Sequence, residues 1–209
     1  MSLRLNGSTS GYVELDAPAT AGSNTLVLPN GNGTSGQYLQ TDGSGALSWQ
    51  TVATSNITYS TAQATTSGTT KDFTDVPSGV KKITVILDRV STAGVDRLNI
   101  RLSTGGTFLT SGYNSSLILA TDAAATNAYT ETTALGLIVS PVATNLWTGM
   151  YVLTNITGNK WVGSGTFNYD TRAFISSGVI DVGGAIDGIR FFSDGSALDN
   201  GNVNVMYEV

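Results

Sequence analysis

Lys82-Ile83-Thr84-Val85-Ile86-Leu87 decides the fold class. Ile83, Val85 and Leu87 fall on one side of an extended chain, and Lys82, Thr84 and Ile86 fall on the other. The same period of two returns at Leu98, Ile100 and Leu102, interleaved with Asn99 and Arg101. It returns again at Val203, Val205 and Tyr207, interleaved with Asn202, Asn204 and Met206. Side chains two apart share a sheet face, so these nine residues are the predicted core. Further β-runs read at residues 116–120, 148–154, 160–169, 172–179 and 186–192. Roughly eight to ten strands, separated by Gly, Asn, Asp and Ser, predict a jelly-roll-like antiparallel β-sandwich. It spans residues 55–209 and its last strand runs to the C-terminus. The best helical stretch, residues 122–129, is too short and too rich in Thr and Asn to read as a helix.

Working outward toward the N-terminus, residues 1–54 hold only short extended pieces. Gly11-Tyr12-Val13-Glu14-Leu15 and Thr25-Leu26-Val27-Leu28 are stopped by Pro18 and Pro29. Gln37-Tyr38-Leu39-Gln40-Thr41 and Ala46-Leu47-Ser48-Trp49-Gln50 flank Asp42-Gly43-Ser44-Gly45, a strong hairpin signal. Leu39 and Leu47 are placed on one face, with Tyr38 and Trp49 covering other positions. Such strands are too few and too short to make a core alone. The segment therefore reads as an attachment and oligomerisation arm anchored by Leu39, Leu47 and Trp49, with Trp49 foremost because a buried Trp dominates interfaces.

Composition narrows the function classes. The chain has 209 residues, 12% charged, with 25 Gly and a net charge of -5. Low charge with many hydroxyls and glycines suits sheets and turns rather than helix interiors. The acidic balance argues against a nucleic-acid partner, which demands a basic footprint. The longest apolar runs are too short for a spanning helix, and the first residues lack a signal-peptide core, so no membrane insertion is expected. The chain contains no Cys and no His, which removes disulfides, thiolate chemistry and the commonest general base and metal ligand. No cofactor is predicted.

The segment Gly36-Gln37-Tyr38-Leu39-Gln40-Thr41-Asp42-Gly43-Ser44-Gly45-Ala46-Leu47-Ser48-Trp49 resembles a GQxLxTDGSGxLxW stretch. That stretch recurs in tail fibres and other virion surface proteins of tailed phages, notably cyanophages. Residues 7–15 and 21–29 are similar to the same family's strand, Gly-Ser-Asn turn and Leu-Pro ending. Val76-Pro77-Ser78-Gly79-Val80-Lys81-Lys82-Ile83-Thr84-Val85 resembles, more loosely, the opening of a domain that follows such segments. The resemblance implies a homotrimeric virion component, a short fibre or capsid decoration, without catalytic residues. It implies a protein assembled in the host cytoplasm, displayed on the virion surface, and partnered by its own copies and by capsid or tail proteins. Lack of long shaft repeats separates the chain from a complete long fibre.

Other constellations carry alternatives. Trp147, Tyr151 and Trp161 are candidates for a glycan-stacking platform, as at the receptor-binding tip of a fibre, or for core packing. Residues 194–201 offer oxygens to a calcium ion but miss the spacing of a calcium loop, and read as a turn. Asp170 with Arg172, or Asp181 with Asp187, would be the acid–base pairs of a depolymerase only if they converged in space. Gly105-Gly106 and Gly183-Gly184 read as turns. Asp88, Arg89, Asp96, Arg97 and Arg101 read as an exposed strand face or as inter-subunit ion pairs.

Overall fold

The computed structural model describes residues 2–52, 56–121 and 127–209, and no described residue is helical. Residues 122–126 of the stretch weighed as a helix lie outside the described residues, as do residues 54 and 55, where the arm was expected to end. The chain divides into two compact units, Met1–Ser55 and Asn56–Val209.

In the first unit β1 (Leu3–Asn6) pairs with β2 (Tyr12–Leu15), and β3 (Gln37–Thr41) pairs with β4 (Leu47–Thr51), both antiparallel. The second unit opens with β5 (Ile57–Tyr59), β6 (Gln63–Ala64), β7 (Thr70–Phe73), β8 (Lys82–Thr92) and β9 (Arg97–Thr104). It continues with β10 (Thr107–Phe108), β11 (Asn114–Ala120), β12 (Asn127–Glu131), β13 (Leu135–Val139) and β14 (Trp147–Thr157). It closes with β15 (Lys160–Tyr169), β16 (Arg172–Asp181), β17 (Gly188–Ser193) and β18 (Leu198–Glu208).

The second unit is an antiparallel β-sandwich. Its nine-stranded sheet runs β12-β11-β16-β15-β14-β8-β18-β5, with β6 also on β18. Its five-stranded sheet runs β10-β9-β17-β7, with β13 also on β9. The eight long strands pair in nested order: β8 with β18, β9 with β17, β11 with β16, and β14 with β15. Nesting of this kind is the signature of a rolled-up ribbon, as in a jelly roll. The even division of a jelly roll is lost, however. Because β14 also pairs with β8, the innermost hairpin joins the large sheet, and only β9 and β17 supply long strands to the small one.

All nine residues of the predicted core are buried between the sheets, Ile83, Val85, Leu87, Val203, Val205 and Tyr207 from the large one and Leu98, Ile100 and Leu102 from the small. The period of two breaks inside β8. Arg89 adopts φ 51°, and both neighbouring strands slip register beside it. This bulge brings Val90 back into the core three residues after Leu87. On β15, Gly163 faces inward because the Tyr151 ring fills the space: a Cβ there would lie 2.3 Å from Tyr151 Cε1. Strand β13 is buried along Leu135, Gly136, Leu137 and Ile138 and clips the sheets together. The Gly136 N–H donates to Ser115 Oγ (3.1 Å), and its carbonyl accepts from the Ser176 hydroxyl. At the C-terminus, the Val209 N–H donates to the Asn56 carbonyl (3.1 Å) and ties the chain end into the sheet.

Truncating Val85, which is fully buried, removes two methyl groups from a packed interior and leaves a void. Val85→Ala is expected to cost about 1–3 kcal/mol. A lowered urea midpoint with an unchanged m-value is the measurement that checks it.

Candidate docking surface

The β3–β4 hairpin is built by its turn. Asp42 accepts from the Ser44 N–H (2.8 Å), the Ser44 hydroxyl (2.7 Å) and the Ala46 N–H (3.2 Å). The Ser44 hydroxyl and amide hold the Asp42 carboxyl below its ordinary range. Gly45 is required beside this turn: at φ 101°, a Cβ would sit 2.2 Å from the Thr25 carbonyl oxygen. That close approach lets residue 27 join the hairpin, since the Val27 N–H donates to Gly45 O and Val27 O accepts from the Leu47 N–H, both at 2.8 Å.

Register then sorts the anchors. Leu39 lies directly opposite Trp49, and Thr41 opposite Leu47. Leu39, Leu47 and Trp49 therefore share one face, while Tyr38 stands on the other, opposite Gln50. The sequence reading, which set Trp49 apart from the two leucines, is corrected here: Leu47 and Trp49 are two apart on β4 and share a face by alternation, and the pairing brings Leu39 to the same side. Leu39 is exposed, and Leu47 and Trp49 are half-buried. Trp49 is already engaged within its own unit: Nε1 donates to the Gly31 carbonyl (2.9 Å), and the indole ring lies where a Gly33 Cβ would be, 2.7 Å from it.

The β1–β2 hairpin adds a surface that sequence reasoning did not single out. Leu3 pairs with Leu15 and Leu5 with Val13, so four aliphatic side chains form one face, all exposed. On the opposite face Arg4 and Glu14 form an ion pair (3.1 Å), and the Arg4 guanidinium lies 4.0 Å over the Tyr12 ring. The alternation Leu3-Arg4-Leu5 is the signal that would have found it. Leu26 and Leu28 are exposed as well. Among the described residues of Met1–Ser55, not one is buried.

The candidates in the second unit take other places. Trp147, Tyr151 and Trp161 are core residues, the first two fully buried and the third 3% exposed. Their rings are sealed in the sandwich and offer no face to a sugar, which corrects the platform reading in favour of core packing. The inward phase of β14 and β15 is the physical reason. Burial pushes the Tyr151 phenol well above its ordinary range. Asp170, at φ 51°, is the hairpin turn between β15 and β16, where Arg172 pairs with Tyr169. Asp181 accepts from the Gly183 N–H (3.1 Å). Asp187 accepts from the Ser103 hydroxyl and the Gly106 N–H (2.7 Å), which hold its carboxyl below the usual range. Each carboxylate thus serves a turn of its own. Gly105 and Gly106, with φ 58° and 75°, form the two-residue loop between β9 and β10.

Asp194 accepts from the Arg97 N–H (2.8 Å) and Asp199 from the Ser91 hydroxyl. Among the described residues, no group of three or more Asp, Glu, His or Cys side chains is placed to hold a metal ion. β8 and β9 lie in different sheets, so their connection crosses between the sheets, and the charges around it disperse within the unit. Arg89 pairs with Asp88 (3.4 Å) and Arg97 with Glu131 (3.1 Å), while Arg101 donates to the Thr133 carbonyl (3.0 Å). No family model matches this sequence, and a search of curated proteins returns no match.

Proposed function

We propose that this chain is a non-enzymatic structural protein of a tailed-phage virion, a short fibre or capsid-decoration protein. It forms a homotrimer, docks through residues 1–54 and carries its β-sandwich outward on the particle surface. The observation that carries this reading is the first unit. Two ordered hairpins hold Leu3, Leu5, Val13, Leu15 and Leu39 in the open. Burying such side chains is worth about 1.5–3 kcal/mol each, which a two-stranded ribbon cannot collect from itself. A partner surface supplies the missing half. The virion-type segment at residues 36–49 coincides with β3, its turn and most of β4, and so contains the exposed Leu39, while Leu3, Leu5, Val13 and Leu15 extend the uncovered surface to β1 and β2.

The test removes residues 1–54 and, separately, makes Trp49→Ala and Leu39→Ala. The truncated chain is expected to keep the sandwich folded while failing to join particles. The two point variants are expected to lower its copy number. Incorporation of the truncated chain at the normal copy number would show that the arm is not the anchor. Failure of the truncated chain to fold would show that the arm belongs to the core.

A further inference from the structure

We infer that copies of this chain meet through the outer face of the nine-stranded sheet, the side turned away from the core. The inference rests on the homo-oligomer of the proposed function and locates its interface, independently of what the arm binds. Cross-strand register assembles the face. Ile118, Ile175, Thr166, Met150, Ile86 and Asn204 lie opposite one another in one row across β11, β16, β15, β14, β8 and β18. The next row, from Ser116 to Met206, is also uncharged. Exposure on this face is 57% for Ile175, 52% for Met150, 45% for Ile118 and 41% for Val162. Water gains nothing from such groups, and contiguous exposed apolar patches of this kind mark interaction sites.

Among the described residues, charge stands only at the rim of the face. Lys82 pairs with Glu208 (2.8 Å), Lys160 lies opposite Asp181 in the register, and Asp88 sits beside the bulge. An uncharged centre of aliphatic and hydroxyl side chains with a charged rim matches the anatomy of a protein–protein interface, where charge is depleted at the core. The outer side of the small sheet is different: Arg190 stands between Arg101 and Asp72 and pairs with Asp72 (2.6 Å). Only one of the two outer faces therefore needs covering.

Three features select a second copy as the partner. The chain carries a net charge of -5, yet the centre of this face is neutral, so two copies meet there without like-charge repulsion. The face also carries both knob and hollow. Short side chains at Ser164 and Thr166 leave a trough of about 350 Å³ on β15, and Met150 and Ile175 line it. A surface holding both shapes lets the knob of one copy enter the hollow of the next around a three-fold axis. Finally, six strands spaced about 4.8 Å apart, each contributing about 20 Å of length, present about 600 Å². Three such faces turned to a common axis, as the trimer of the proposed function requires, bury about 1,800 Å² in all, within the range of stable specific interfaces.

The experiment measures the mass of the full chain in solution, by sedimentation equilibrium and native mass spectrometry. Wild type is compared with Ile175→Glu, Met150→Glu and, as a control at an exposed residue off this face, Val95→Ser, and circular dichroism follows the fold. Wild type and Val95→Ser are expected to be oligomeric at tens of micromolar, and the two Glu variants to be folded monomers. Ile175→Ser takes the place of any Glu variant that does not fold, and is expected to weaken self-association at least about tenfold. A monomeric wild type overturns the inference, as do Glu variants that keep the wild-type mass. A monomeric wild type whose Glu variants fail to enter particles also overturns it and assigns the face to another virion protein. Arm docking is read from incorporation rather than mass, so the two readings fail separately.

Discussion

Trp147→Ala is expected to lower the stability of the sandwich by about 3–5 kcal/mol, the largest loss of any single truncation proposed for this chain. Trp147 is fully buried at the start of β14. Its ring packs edge-on against Phe174 at 5.2 Å and tilted against Tyr169 at 5.8 Å. Indole Nε1 donates to Ser140 Oγ (3.2 Å), and that hydroxyl in turn donates to the Val142 carbonyl (2.8 Å). Truncation removes the apolar burial, leaves a cavity that β-sheet walls close poorly, and takes away the donor that approaches a buried Ser140. Trp147→Phe keeps most of the volume and is expected to lose less. Urea unfolding at constant m-value reads both. A loss below 1 kcal/mol for the Ala variant would mean that the aromatic cluster collapses into the space or is not packed as described.

Raising the pH above about 10 is expected to destabilise the sandwich steeply, through tyrosines rather than carboxylates. Burial pushes the Tyr113 phenol up to about 12 from an ordinary 10.0. Its hydroxyl accepts from the Leu102 N–H (2.9 Å) and donates to the Leu109 carbonyl (3.3 Å). Tyr151 is raised by burial, and Tyr207 by burial together with the charge of Asp75, to which its hydroxyl donates (3.0 Å). A raised phenol keeps its proton in the folded chain at a pH where the unfolded chain has released it. The stability tied to these groups is therefore whole below about pH 10 and drains away as the pH climbs toward 12 and beyond. Tyr113 alone accounts for about 2 kcal/mol at pH 12, and the other two add in the same direction. The share of tyrosinate absorbance that belongs to these three should then rise together with unfolding rather than before it. Early, non-cooperative ionisation of all eight tyrosines would refute the burial of these three.

The sandwich and its central residues were legible in the sequence because period-two alternation survives any tertiary arrangement. Ile83, Val85 and Leu87 face the core however the strands are ordered. The turns were legible for a similar local reason: Asp42 with Gly43, and Gly105 with Gly106, encode their own backbone conformation. Strand β13 escaped notice because both of its faces are buried, so Leu135, Leu137 and Ile138 show no alternation to read.

The arm's weakness was also written in the sequence, as strands too short to bury anything. Which of its residues share a face across the hairpin was not. Leu47 and Trp49, two apart on β4, share a face by alternation alone, but Leu39 joined them only when the turn fixed the pairing, since a one-residue change of register moves a side chain to the opposite face. Tertiary structure alone decided the rest. Trp147, Tyr151 and Trp161 look alike as surface platform or core until β14 and β15 acquire an inward phase between two sheets. The uncharged row from Ile118 to Asn204 exists only because six strands, drawn from between residues 82 and 208, lie side by side. Sequence sets the alternation within each strand, whereas the order of strands sets which outward residues become neighbours, and a surface is made of neighbours.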